Sequence, residues 1–508
     1  MTIAIPRPVI VDRHGAYTYA QLDEASRCVA AALLGDTSDL AEARVAFFVA
    51  PGFPYAAIQR GIWRSGGVAV PLALSHPAAE LEYAVTDSAS AIVVADETAA
   101  DILGPIAARA GARFLTTGQA MSAPPAPVAA ESLPFLGATR PGMIIYTSGT
   151  TGRPKGVVTT HANIGAQVAA LVEAWGWTPS DRLLLVLPLH HVHGIINGLC
   201  SALAVNATCE MPASFNAEEV WDRLASGEIT VFTAVPTIYH RLIAAWDAMP
   251  APLQRARAEG AARLRLMMSG SAALPVQTLE RWRAITGHTL LERYGMTEIG
   301  MALANPLHGE RRPGFVGTPL PGVDARLVGD DGDAVADGIP GELEVRGPAV
   351  FKEYWRRPDE TRAAFRDGWF RTGDMAVMEN GSCRLLGRTN VDIIKTGGFK
   401  VSALEIEAVL RDHPAILECA VVGVEDEEWG ERVSAAVELR ADASLALPDL
   451  QAWAKLLLAP YKIPRALVPV EALPRNAMGK VVKGDVKALF VASGFSRKIS
   501  ASASTAPR

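Results

Sequence analysis

The chain has 508 residues, too many for one hydrophobic core, so two or three domains are expected. Hydrophobic content of 49%, charged content of 20% and a net charge of -6 describe an ordinary globular protein, and the mild acidity argues against general nucleic-acid binding. Five dispersed cysteines (Cys28, Cys200, Cys209, Cys383, Cys419) without a C-x-x-C pair read as reduced buried thiols, not as a disulfide frame or zinc site. No apolar run is long enough for a membrane span, and the first residues lack the charged-then-apolar layout of a secretory signal. The cytoplasm is the expected location.

Strand and helix patterns alternate from residue 45 to 95. Residues 45–49, 67–72 and 91–95 read as strands, and 54–64 and 78–86 as amphipathic helices, with Tyr55, Ile58 and Ile62 on one face of the first. Nearly continuous apolar strands between helices indicate a parallel sheet covered on both faces. Residues 121–134 hold four prolines and read as an extended connector. Alternation resumes with strands at 182–187, 207–211, 229–235 and 264–268 and helices at 217–225, 236–245 and 276–286; Pro236 stands where a helix tolerates a missing N–H. Past Phe315, short β-rich runs at 323–328 and 341–346 are punctuated by Gly and Pro, which predicts a small antiparallel barrel or sheet. An α+β segment follows Arg388, with helices at 402–411 and 449–458 and strands near 419–424 and 434–439. The Ser/Ala-rich residues 493–508 read as disordered.

Between the apolar runs Met143-Ile144-Ile145 and Val157-Val158 lies Tyr146-Thr147-Ser148-Gly149-Thr150-Thr151-Gly152-Arg153-Pro154-Lys155-Gly156. Small residues, hydroxyl donors and cations in one loop suit a polyphosphate. It is not a Walker A loop, because Pro154 stands where the second Gly is needed and Gly156 follows Lys155. His190, His191 and His193 follow a predicted strand; a zinc site would need further ligands, and a binding crevice at a strand's C-terminal end is the better reading. Ser269-Gly270-Ser271-Ala272 follows another strand. In Leu291-Glu292-Arg293-Tyr294-Gly295-Met296-Thr297-Glu298, strand alternation puts Glu292 and Arg293 on opposite faces, so one of them points into the crevice. Thr297 and Glu298 offer hard oxygen ligands for a phosphate-bound Mg²⁺. Asp374, read as lying at a tight Gly turn, suits the two hydroxyls of a ribose.

In this order, the clusters resemble the adenylate-forming superfamily of acyl-CoA synthetases, luciferases and peptide-synthetase adenylation domains. The stretches 187–194, 234–239, 269–275, 287–301, 317–322 and 391–405 resemble its malonyl-CoA synthetases. The resemblance implies an α/β fold: a large N-terminal domain (1–388) of two α/β lobes plus a β-barrel, and a small mobile α+β C-terminal domain (389–492). It implies ATP, Mg²⁺ and coenzyme A as co-substrates and cofactor, with malonate as the acid, and no nucleic acid or membrane as partner; the chain is taken as a monomer or weak homodimer.

Residue by residue, the resemblance assigns the phosphates to Thr147, Ser148, Gly149, Thr150, Thr151, Gly152 and Lys155. Gly270, Ser271, Ala272, Tyr294, Gly295, Met296 and Thr297 would complete the nucleotide site, with Asp374 and Arg388 on the ribose. Lys480, Thr147 and Glu298 would be catalytic, with Glu298 also on Mg²⁺. Lys395, Gly397, Gly398, Phe399 and Lys400 would line the coenzyme A site. For the acid, Arg293 is the main candidate, with His193, His191, Ser269 and Arg241 as weaker ones; Arg241 reads equally well as an exposed helix residue. A dicarboxylate keeps a second negative charge after one carboxylate is activated, and an arginine can hold it with a bidentate bond where burying it unpaired is costly.

The segment Arg388-Thr389-Asn390-Val391-Asp392 departs from relatives, which commonly carry Lys or Asp two residues after the arginine; Asn390 is read as the hinge. Acetylation of Lys480 by a lysine acetyltransferase would remove its charge and act as a switch. The rival readings are another acid on the same fold (methylmalonate, a short monocarboxylate, or an amino acid paired with Glu292) and a non-catalytic nucleotide sensor.

Overall fold

Aliphatic and β-branched runs bounded by Gly and Pro become the strands of two mostly parallel sheets. The computed structural model describes residues 7–124, 137–147, 154–389, 391–475 and 481–492. Contacts divide the chain into one unit of Met1–Ala325 with Val345–Phe370 and a second of Arg326–Glu344 with Arg371–Arg508.

The first unit holds both sheets. One runs, edge to edge, through Glu353–Tyr354, Lys155–Thr160, Pro141–Thr147, Val68–Pro71, Arg44–Phe48, Ile92–Ala95 and Arg113–Thr116. Its last five strands are parallel, while Pro141–Thr147 and Lys155–Thr160 pair antiparallel around the glycine- and threonine-rich loop. The other sheet has nine strands, and its central six run parallel: Leu291–Met296, Leu266–Ser269, Val231–Ala234, Arg182–Leu185, Thr208–Glu210 and Pro8–Asp12. The N-terminal strand thus joins the sheet built mainly from residues beyond 180, a long-range pairing that no local pattern announces.

Several elements form for readable local reasons. Pro236 is the first residue of helix Pro236–Asp247 and needs no N–H partner there. Helix His161–Ala174 opens with a reciprocal cap between Thr160 and Asn163. The Asn163 amide also donates to the carbonyls of Pro348 (2.8 Å) and Val350 (2.9 Å), binding residues 348–350 to this helix. Helices Ala217–Ala225 and Val276–Thr286 occupy the ranges expected from their periodicity.

The β-rich residues 324–388 form open ladders, the sheet of the two forms that their turn spacing allowed; the closed barrel implied by the resemblance is not seen among the described residues. Asp374 is not in a tight turn. It lies inside the long strand Trp369–Glu379, directly opposite Arg388 of strand Ser382–Arg388, with a register shift after Met375. In the second unit, strands Ile393–Thr396 and Phe399–Ser402 close around Gly397 and Gly398, which both have positive φ, as a two-residue hairpin turn of this kind requires. The cysteines are all free, but Cys28 and Cys200 are half-buried where buried thiols were expected. No helix among the described residues is long and apolar enough to cross a membrane.

Candidate active site

Four neighbouring strands of the nine-stranded sheet, Arg182–Leu185, Val231–Ala234, Leu266–Ser269 and Leu291–Met296, deliver side chains to one place near their C-terminal ends. This is where open α/β sheets bind ligands. Beyond the first of these strands, His190 and His191 lie in a turn and His193 opens a π-helical stretch, His193–Cys200. Of the histidines, His193 enters the site. Its Nε2 lies 2.8 Å from Thr233 Oγ1 and its Nδ1 3.0 Å from Ser271 Oγ. Burial, then the Arg293 charge, then His191 hold His193 well below the usual histidine range, so the ring is neutral. Arg293 Nη2 donates to Nε2, so the network places the ring proton on Nδ1, donating to Ser271. His190 is likewise kept neutral, pushed down to about 3 mainly by burial, but packs against His191 with the rings tilted 49° and does not join this group.

Arg293 is the centre of the cluster. It is 3% exposed, and burial alone lowers its pKa to about 9. Its contacts are neutral: His193, and Thr233 Oγ1 at 3.4 Å. Among the described residues no carboxylate pairs with it, and its Nε, like the neighbouring Ser269 Oγ, is buried without a partner. The guanidinium lies against Gly270, where an added Cβ would sit 2.1 Å from Nη1. Ser271 beside it is held at φ 69°, a strained left-handed conformation for a serine. Glu292, by strand alternation, faces the other way and accepts from Gly314 N at 3.0 Å. Burial raises its pKa to about 8, with the Gly314 bond opposing. The crevice face therefore carries a cation, and the acid is turned away from it. Arg241 does not join the pocket: Tyr239 and Leu242 are the buried face of its helix, and Arg241 is exposed on the other side.

The next hairpin carries the oxygen donors. Tyr294, Gly295 and Met296 lead into Thr297 and Glu298, and an added Cβ on Gly295 would meet Gly300 O at 2.0 Å, so only glycine fits. Glu298 is buried, and its Oε1 accepts from Tyr354 Oη at 2.9 Å. The same Tyr354 ring lies beneath the Lys155 ammonium, 5.3 Å from its centroid, and Lys155 also pairs with Glu360. Lys155 and Thr147 are cross-strand partners at the mouth of the loop. Tyr354 thereby ties the base of the phosphate-suited loop to the metal-suited carboxylate. Ala272 is exposed beside Ser271. Ser148, Gly149, Thr150, Thr151 and Gly152, together with Asn390 and Lys480, lie outside the described residues.

The second unit brings together the two ribose candidates: Arg388 Nε pairs with Asp374 Oδ1 at 2.8 Å, and Arg388 Nη1 donates to Thr372 O at 3.1 Å. In the glycine hairpin, Phe399 stacks on Tyr461 with centroids 4.2 Å apart. Lys400 pairs with Asp330 at 2.6 Å, while Lys395 is exposed. Thr233 and Tyr354 were not anticipated. A hydroxyl inside the apolar run Val-Phe-Thr-Ala was a usable signal for Thr233; nothing local marked Tyr354.

Residues 5–355 match the family model described as AMP-binding enzyme, and residues 405–480 match the AMP-binding enzyme C-terminal domain. The chain belongs to the adenylate-forming AMP-binding enzymes. Among members of this family, it is 48% identical to the mitochondrial malonate–CoA ligase of Mus musculus, over 96% of this chain and 89% of that protein. It is 43% identical to the malonate–CoA ligase of Arabidopsis thaliana, over 93% and 84%. The ATP-bound structure of MatB from Rhodopseudomonas palustris superposes with a TM-score of 0.86 at 35% identity, covering 96% of this chain and 97% of that one.

Proposed function

We propose that this AMP-binding enzyme is an ATP-dependent malonate–CoA ligase, forming malonyl-CoA through malonyl-adenylate with release of pyrophosphate and AMP. The observation that carries the substrate is Arg293, a buried guanidinium with neutral neighbours and no carboxylate partner among the described residues. Such a group is costly to keep unless a ligand supplies the missing charge. The distal carboxylate of malonate supplies it, and the planar fork favours a bidentate bond. A monocarboxylate leaves the arginine unpaired. An amino acid would need an acid for its ammonium, and Glu292 is turned to the other face of the strand. The names of the relatives point to the same acid.

In the first half-reaction the reacting malonate carboxylate attacks the α-phosphorus of ATP, forming the acyl–O–P bond and breaking the bond to pyrophosphate. Phosphoryl transfer of this kind is driven by positioning and by neutralising charge. Thr147 and Lys155, with the loop between them, would hold the β- and γ-phosphates. The donor set fits Mg²⁺, which takes one or two carboxylates plus phosphate oxygens: Glu298 would hold it, oriented by Tyr354, and the ion would neutralise phosphate charge. Asp374 and Arg388 would hold the ribose, and Lys480 would bridge the carboxylate and the α-phosphate. The C-terminal domain would then turn about Asn390, and the thiol of coenzyme A would attack the acyl carbon and expel AMP. Gly397, Gly398, Phe399, Lys395 and Lys400 would line that second site.

Pyrophosphate release with ATP and coenzyme A across a panel of small acids tests the reading. Release with malonate, and more weakly with methylmalonate, is expected. Release with acetate or an amino acid at the malonate rate, or with no acid at all, would overturn it.

A further inference from the structure

An unbroken chain of charged side chains in the second unit links Arg475 and Lys483, the described residues on either side of the segment in which Lys480 falls. Arg475, before that segment, reaches Glu418 at 3.7 Å, and Glu418 is held by Arg411 at 2.8 Å. Arg411 meets Glu407 at 3.5 Å, and Glu407 meets Lys483, three residues after Lys480, at 2.8 Å. The Lys483 ammonium also pairs with Asp392 at 2.7 Å, and the other oxygen of Asp392 accepts from Arg388 N at 3.0 Å. The backbone closes the same ring: Arg475 and Val481 are antiparallel bridge partners, and Val482 N donates to Pro474 O at 2.8 Å.

Lys483 is where local preference would not put it. It is the first residue of helix Lys483–Ala492, where a cation opposes the helix dipole, and its side chain is only 11% exposed. Burial works against its charge, but Glu407 and Asp392 together outweigh burial and raise its pKa. A lysine serving solubility would point outward. One enclosed by two carboxylates, from helix Ala403–Leu410 and from the segment just after Asn390, ties three chain segments together.

We propose that Lys483 is a positioning residue for adenylate formation. By gripping Glu407 and Asp392 it joins the Lys480 segment to the segment beyond the hinge, so that Lys480 arrives at the α-phosphate in a defined place whenever the domain turns. This rests on the assignment of Lys480 to the first half-reaction. The two half-reactions separate the role from simple stabilisation, because the second does not use Lys480.

The test compares malonate-dependent pyrophosphate release with thioester formation from supplied malonyl-adenylate and coenzyme A. Lys483→Met is expected to slow the first by about 10²-fold, the scale of loss from a misplacement of roughly 1 Å, and to leave the second near the unmutated rate. Lys483→Arg, which keeps the charge, is expected to recover most of the loss. Equal loss in both half-reactions, or none in either, overturns the proposal. Glu418→Gln breaks the ring at its half-exposed end, and it must give the same selective loss, in smaller degree, even where Lys483→Met does not accumulate; an unselective effect there also overturns the proposal. Lys480→Ala serves as the reference. If it leaves adenylate formation intact, the underlying reading of Lys480 has failed; if it is selective while the Lys483 variants are not, only the positioning role has.

Discussion

Replacing Arg293 with Met separates charge recognition from packing, because Met is similar in length and apolar. In the unmutated protein the guanidinium hydrogen-bonds, among the described residues, only to His193 and Thr233, and it lies against Gly270. With malonate bound, removing it leaves the distal carboxylate buried and unpaired, a loss of about 3–5 kcal/mol for breaking a buried ion pair. At about 1.4 kcal/mol per tenfold, kcat/KM for malonate should fall by roughly 10²- to 4 × 10³-fold. Acetate has no second charge, so its kcat/KM should stay level or rise, and Arg293→Lys should fall between the two because a point charge lacks the bidentate fork. Pyrophosphate release with each acid at saturating ATP reads the ratio. A second readout needs no substrate. Because burial lowers the folded pKa of Arg293 to about 9, the apoprotein carries a penalty at every lower pH, and Arg293→Met removes it. Its Tm at neutral pH should therefore hold or rise. Parallel loss on malonate and acetate, with a lower Tm, would refute the reasoning and make Arg293 a structural residue.

Glu292 should make stability depend on pH. Its folded pKa of about 8 lies above the ordinary 4.5, so its contribution is full below 4.5 and is lost as pH rises toward 8; Tm should decline across that window, and Glu292→Gln should flatten the decline. An unchanged slope would contradict its burial. Gly270→Ala places a Cβ 2.1 Å from Arg293 Nη1, and malonate kcat/KM should drop by about tenfold or more as the guanidinium is pushed aside. Unaltered malonate kinetics would contradict that placement. Tyr354→Phe removes the hydroxyl that donates to Glu298 at 2.9 Å, and the Mg²⁺ concentration for half-maximal activity should rise by about tenfold, as for other groups that orient a metal ligand. No shift in a Mg²⁺ titration would put Glu298 away from the metal.

Much of this protein could be read before any coordinates. Apolar runs between Gly and Pro marked the strands, and helical periodicity marked helices Ala217–Ala225 and Val276–Thr286. The two buried strands on either side of the loop after Tyr146 were legible from their apolar runs, while the phosphate reading of the loop rested on its hydroxyls, glycines and cations alone. Strand alternation also separated Glu292 from Arg293, but a period of two says only that they face apart, not which one meets the crevice. That depended on parallel pairing, which sets Val231–Ala234 and Leu266–Ser269 beside the strand of Arg293 and so brings Thr233 and Gly270 to the guanidinium from about 60 and 23 positions away in the chain. The same pairing selected His193 over its two neighbours and left Arg241 in solvent. Asp374 looked like a turn residue because Gly373 precedes it, and only its ladder with Arg388 made it part of a strand. Nothing local marked Lys483, and only the fold closed two carboxylates around it. Local sequence determined the elements and the kinds of chemistry on offer. The tertiary structure decided which groups meet, because a buried charge is defined by neighbours that are distant in the chain.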